Sequence, residues 1–161
     1  MTREGAIEKA AEHIDGGAFF QELARRVAIP TESQENDRLP ILEAYLKQEI
    51  EPQLSRLGFT CGIYPNPDPI GGPFLVARRE ETQTRPSVML YGHGDVVRGY
   101  DEQWHEGLSP WKLTKRGERW YGRGTADNKG QHTINLSALA KVLEVRGSLG
   151  FNCVLLIETG E

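Results

Sequence analysis

The sequence predicts an α/β protein, a three-layer arrangement in which helices flank a mixed sheet. Three observations carry this expectation. Short β-favouring runs at residues 59–64, 74–79, 88–91 and 151–157 are bounded by glycine, proline or polar turns. A helical pattern at residues 131–146 stands between a hairpin and the last strand, a crossover that makes part of the sheet parallel. The polar turn at residues 80–85 joins two strands directly, which reads as an antiparallel pair.

Taken in order, residues 4–14 and 19–27 read as two amphipathic helices around Gly16-Gly17. Phe20, Leu23, Ala24 and Val27 share a face of the second. His13 reads as a surface or capping side chain. Residues 30–33 are a loop, and Asn36 or Asp37 caps a long helix running to about Leu57. Along it Leu42, Tyr45, Leu46, Ile50, Leu54 and Leu57 recur at helical spacing. Pro52 should kink or split this helix, and Gly58 stops it. Residues 65–73 hold too many prolines and glycines for regular structure. The long irregular stretch at 98–110 holds Trp104 and His105 and leads to Trp111. Both tryptophans read as packing under a covering loop before they read as a cleft lining, and His105 as a spare ligand. Residues 111–114 and 120–121 form a hairpin around 115–118. His132, in the first turn of the helix at 131–146, reads as solvent-facing or capping.

Composition narrows the function classes. With 38% hydrophobic and 26% charged residues over 161 positions, the chain has the makings of a folded core. A formal net charge of -4, with no basic cluster among the aromatics, leaves no footprint for nucleic acid. No run of apolar residues is long enough for a membrane span, and residues 1–11 are too charged for a secretory signal. The expected location is therefore cytoplasmic. Cys61 and Cys153 form no close-spaced motif and are expected as free thiols. The strong strand pattern at 151–157 is followed by only Glu158-Thr159-Gly160-Glu161. That ending is expected to be a truncation inside a domain.

The chemistry gathers where strands end. The apolar run 88–91 stops at Gly92-His93-Gly94-Asp95, so His93 and Asp95 fall at a strand's carboxyl end, where α/β sheets carry their ligand sites. Residues two apart in an extended chain point the same way. A carboxylate there can hold the far imidazole nitrogen and fix its tautomer. Asp127 sits in the glycine-containing turn 122–130, and Glu158 and Glu161 follow the last strand. Imidazole nitrogen with carboxylate oxygen suits zinc and other divalent metals. Gly122-Arg123-Gly124 reaches Asp127 where a dinucleotide fingerprint needs glycine, and no Gly-x-Ser-x-Gly elbow is present.

Three stretches in this order resemble the M20 metallopeptidases: Gly92-His93-Gly94-Asp95-Val96-Val97, Tyr121-Gly122-Arg123-Gly124-Thr125-Ala126-Asp127-Asn128-Lys129-Gly130, and Leu156-Ile157-Glu158-Thr159-Gly160-Glu161. That family includes carnosinase-type dipeptidases, Gly-X carboxypeptidases, aminoacylases, acetylornithine deacetylase and succinyl-diaminopimelate desuccinylase. The resemblance implies a zinc-exopeptidase-like catalytic domain, incomplete here. Residues 1–161 are its N-terminal part, and the lid or dimerisation domain and the C-terminal part are absent. It also implies a pair of Zn2+ ions, with Co2+ or Mn2+ as substitutes. His93 is implied as a ligand and Asp127 as the carboxylate bridging the ions, with a cis Asp127-Asn128 peptide bond. Asp95 is implied to orient His93, and Glu161 to act as general base. Gly94 stands where the family usually carries a bulkier residue, and Arg98 where proline is common.

The expected activity is hydrolysis of an amide bond in dipeptides or N-acyl amino acids, with no nucleic-acid or membrane partner and with homodimers in the full-length protein. Asp127-Asn128-Lys129-Gly130 leans towards the dipeptidase branch rather than the deacylase branch of acetylornithine deacetylase and the desuccinylase. A non-catalytic binding or regulatory module on the same scaffold is the rival of a different class. A two-metal phosphoesterase is a third reading. The chain by itself is expected to be inactive, because only two ligands for the metals fall within it.

Overall fold

A computed structural model describes residues 2–35, 37–68 and 71–160. Helices α1 (Arg3–Asp15) and α2 (Ala18–Val27) open the chain. Gly17, at φ +79°, makes the left-handed turn between them. Helix α3 (Leu39–Ala44) passes into a π-helical segment, Tyr45–Ile50, and then into α4 (Glu51–Arg56). Strands β1 (Thr60–Tyr64), β2 (Phe74–Arg79) and β3 (Ser87–His93) follow. A small hairpin, β4 (Thr114–Arg116) and β5 (Arg119–Tyr121), precedes α5 (Lys129–Arg146) and β6 (Asn152–Glu158).

Pro52 neither breaks nor splits the long helix. Proline removes one backbone donor and crowds the carbonyl four residues back. The wide π-helical turn just before it relieves both effects. The helix also starts differently from expectation. Arg38 occupies the N-cap with no side-chain cap, and Pro40 in the first turn takes over the start signal. Asp37 points its carboxylate at Arg38 Nε, 3.9 Å away. The other candidate cap, Asn36, lies outside the described residues, as does Pro69 of the proline-rich loop.

The main sheet has the order β1-β2-β6-β3. The antiparallel β2–β3 pair expected from sequence is not a hydrogen-bonded pair, because β6 lies between them. β6 runs antiparallel to β2 and parallel to β3. The connection after β2 crosses the start of β6 and is fastened there. Asn152 Oδ1 accepts from the Glu81 and Thr82 backbone N–H groups, while its Nδ2 donates to the Thr82 and Arg85 carbonyls. The hairpin is a separate two-stranded sheet, shifted towards the C-terminus from residues 111–114, so the crossover through α5 joins β6 to β3.

One face of the sheet is sealed. Leu75, Ala77, Leu155 and Ile157 pack with Leu46, Ile50 and Leu54 of the long helix and with Leu136 and Leu139 of α5. A second cluster joins Phe19, Leu23 and Val27 of α2 to Leu113 ahead of the hairpin. Trp120 packs edge-on to Phe20 at 5.1 Å beside it. The 30–33 segment is more than a loop. Thr31 Oγ1 donates to Gly94 O, Val96 N–H donates to Thr31 O, and Ser33 N–H donates to Val96 O. This strap fixes the chain just after β3, where the chemistry-bearing residues lie.

Candidate functional site

Parallel pairing with β6 sets His93 opposite Glu158 at the end of β3. Gly92 makes this end accessible to the neighbouring turn. A Cβ there would come within 3.0 Å of both Asn128 Oδ1 and His132 Cβ. The turn that carries Asp127 needs glycine too. Gly124 has φ +77°, and a Cβ on Gly130 would sit 1.9 Å from Thr125 O. The Asp127-Asn128 peptide bond is cis, as the resemblance implied. Asn128 Oδ1 accepts from the His93 backbone N–H at 3.3 Å, tying the turn to the strand.

The imidazole of His93 is buried and oriented from both sides. Its Nδ1 lies 3.2 Å from Asp95 O and 3.4 Å from Asp95 Oδ1. Its Nε2 lies 3.0 Å from Asp127 Oδ1. Asp95 is sealed, and burial raises its carboxyl above the usual range, with a Ser33 hydrogen bond and the His93 charge pulling the other way. The Asp127 side chain, by contrast, is 78% exposed and is open to a ligand. His93, Asp95 and Asp127 line one cavity of about 270 Å³ with Val96, Arg123 and Thr125.

This donor set fits the beginning of a divalent-metal site. Nitrogen and oxygen ligands bound at about 2.0–2.1 Å to one tetrahedral ion stand about 3.3 Å apart, close to the observed separation. The far imidazole nitrogen faces a carboxylate, as ligating histidines require. Among the described residues no group of three or more His, Cys, Asp or Glu side chains is placed to hold an ion. Glu161 lies outside the described residues. Glu158 is half-buried on the same strand end and accepts a hydrogen bond from the Tyr91 hydroxyl.

Behind the site lies a polar knot that the sequence reading missed. His132 is fully buried and not solvent-facing, with Nε2 2.6 Å from the Tyr45 hydroxyl. Burial, with the charges of Arg26 and Lys129 beside it, holds its pKa well below the ordinary value. Lys129 is also fully buried. Its Nζ donates to Arg26 O at 2.9 Å and Ile29 O at 2.6 Å, and lies 5.2 Å from the centre of the Tyr45 ring. Burial lowers its pKa to about 7. Arg26 donates to Thr133 Oγ1 and Gln53 Oε1 and lies 3.4 Å from Glu49 Oε1. A signal was available, since Lys129, His132, Thr133, Leu136 and Leu139 recur at helical spacing on one face of α5. Gly94 belongs to this story as well. A Cβ there would meet Tyr45 Cε1 at 2.6 Å, so the Tyr45 ring takes the room a bulkier residue would need.

The tryptophans divide. Trp111 packs against Gly99, while Trp104 donates from Nε1 to Gly99 O at 2.8 Å and also lines a second cavity. His105 is exposed and lines that second cavity.

Residues 89–161, from β3 through β6, match peptidase family M20/M25/M40. The chain is 34% identical over 105 residues to the cysteinylglycine-S-conjugate dipeptidase of Corynebacterium striatum, covering 64% of this chain and 22% of that protein. It is 40% identical over 84 residues to the succinyl-diaminopimelate desuccinylase of Cupriavidus necator, covering 50% of this chain and 21% of that protein. The crystal structure of human carnosine dipeptidase 1 superposes with a TM-score of 0.82 at 27% identity, over 97% of this chain and 34% of that one. The chain thus spans about a third or less of the length of these relatives. The mixed α/β fold is that of their catalytic domains.

Proposed function

We propose that this chain, which belongs to peptidase family M20/M25/M40, carries the first part of a two-metal active site that hydrolyses an amide bond in dipeptides or N-acyl amino acids. One observation carries the reading. His93 Nε2 and Asp127 Oδ1 stand 3.0 Å apart, on elements 34 residues apart in sequence, with Asp95 behind the imidazole. Residues 1–161 form the N-terminal part of the catalytic domain in this reading. The lid or dimerisation domain, the remaining ligands and the homodimer contacts belong to further polypeptide. The enzyme works in the cytoplasm.

Each side chain has a role. His93 and Asp127 would hold zinc, or cobalt or manganese in its place, as the first two ligands of the metal pair. Asp95 holds the His93 ring in the tautomer that leaves Nε2 free to ligate. When bound, such ions polarise the amide carbonyl and make water acidic enough to attack it near neutral pH. Glu161 takes the proton of the attacking water and passes it to the leaving amine. Buried Asn128 and the glycines of its turn hold the Asp127 carboxylate at the mouth of the cavity.

The dipeptidase branch is favoured by the Asp127-Asn128-Lys129-Gly130 turn and by the dipeptidases among the relatives. The N-deacylase reading keeps support from the desuccinylase match at 40% identity. Assay of dipeptides against N-succinyl and N-acetyl amino acids, with zinc added to a chain completed to the length of its relatives, decides between them. In that enzyme Glu161→Gln is expected to keep the metal and lose about 10²–10⁴-fold in turnover. His93→Ala is expected to lose the metal, read by metal analysis after dialysis. A near-normal rate in Glu161→Gln removes the assigned base. The 161-residue chain is expected to show no zinc-dependent hydrolysis, because two donors fall short of the three that catalytic zinc sites keep.

A further inference from the structure

Thr31 is fully buried and grips the backbone on both sides of Asp95. Its hydroxyl donates to Gly94 O at 2.7 Å, which fixes the Gly94-Asp95 peptide through its carbonyl. Its own carbonyl accepts from Val96 N–H at 2.9 Å, which fixes the Asp95-Val96 peptide through its N–H. Gly94 N–H is held as well, donating to Glu158 O at 2.7 Å. A trans peptide unit is planar, so its N–H and C=O point opposite ways. Turning Val96 N–H towards Thr31 therefore turns Asp95 O away from it. On that other side stands His93 Nδ1, 3.2 Å from Asp95 O and 3.4 Å from Asp95 Oδ1.

The same strap reaches the second candidate ligand. Ile29 O accepts from Thr31 N–H at 2.9 Å and from Lys129 Nζ at 2.6 Å. Lys129 is two residues beyond Asp127. Thr31 itself does not line the cavity of His93 and Asp127, so whatever it does there it does through the backbone it grips. Branching at Cβ stiffens its side chain, so the hydroxyl is aimed before any ligand arrives.

We propose that Thr31 is a positioning residue of the metal site. By fixing the two peptides around Asp95 it presents Asp95 O to His93 Nδ1, which keeps the ring proton on Nδ1 and leaves Nε2 for the ion. The inference rests on the metal-hydrolase reading and deepens it, because the main chain of Asp95 then shares with its carboxylate the choice of tautomer. The plain rival is that Thr31 only fastens the strap. In that case its loss lowers stability and leaves the His93 ring as it was.

The tautomer is read from the ring 15N shifts of His93 in the metal-free chain at about pH 8, where an ordinary imidazole is neutral. An Asp127→Ala background removes the competing acceptor beside Nε2. The Nδ1–H form is expected to dominate there. Thr31→Val, close in shape but without the hydroxyl, is expected to cut the ratio of Nδ1–H to Nε2–H by about threefold to tenfold, the worth of one hydrogen bond. Thr31→Ser is expected to restore most of the ratio. Backbone amide shifts of α5 and β6 check that the fold is intact. If Thr31→Val does not fold, Thr31→Cys supplies a weaker donor and is expected to give an intermediate ratio. A dominant Nε2–H form with Thr31 in place, an unmoved ratio in the folded Val or Cys variant, or a Ser variant that falls as far as Val overturns the proposal. Zinc retention by the completed enzyme, read by metal analysis after dialysis, is scored separately. A tautomer shift without zinc retention removes only the metal reading, and zinc retention with an unmoved tautomer removes only the role of Thr31.

Discussion

His93 and His132 lie on two sides of the Gly92 backbone and have opposite surroundings. His93 is 5% exposed, and its Nε2 meets a carboxylate that is itself largely in solvent. His132 is 0% exposed, and its Nε2 meets a tyrosine hydroxyl, with the buried Arg26 and Lys129 side chains nearby. The first nitrogen is within reach of an ion entering the cavity. The second is part of the packing. What separates a candidate ligand from a structural histidine here is access to solvent and the charge of the neighbours, not residue type or distance from the strand end. The knot around His132 also has a use for the site. Lys129 and Asn128 follow Asp127 directly, so the anchoring of Lys129 to the end of α2 sets where the Asp127 turn can lie.

The sharpest break in this comparison is Arg26→Met. It leaves Thr133, Gln53 and Glu49 facing a vacated buried site, and the expected loss is about 3–5 kcal/mol of stability, read as a lower urea midpoint. A change under 1 kcal/mol would show that the knot is dispensable. Next is Gly94→Ala, which pushes a methyl group into the Tyr45 ring and so couples the knot to the site. The expected cost is about 1–3 kcal/mol, with His93 ring shifts in the NMR spectrum. An unchanged His93 spectrum would separate the two regions.

The smallest effect is a pH slope. Burial, then Arg26, Lys129 and His93, keep His132 neutral in the folded chain. As pH falls through about 6.5 the unfolded chain takes up a proton that the folded chain refuses, so stability declines on the acid side. Above that pH the contribution is fully present. His132→Phe is expected to flatten the fall of the urea midpoint between about pH 7.5 and 5, whatever it does to the absolute value. An unchanged slope would mean that other groups carry the acid limb.

The sequence alone determined what short spacing can determine. Strands 74–79 and 151–157, the glycine stops at Gly58 and Gly147, and the place of His93 at the end of a strand all follow from local period and turn chemistry. Only the tertiary structure decided that β6 enters between β2 and β3, that the Thr31 strap clamps the residues after His93, and that Arg26, Lys129 and His132 share one sealed space. Those contacts join residues far apart in the chain, where the choice of partner depends on which surfaces lose water together. A helix period shows that His132 shares a face with Leu136. It cannot show that Tyr45 waits on the other side.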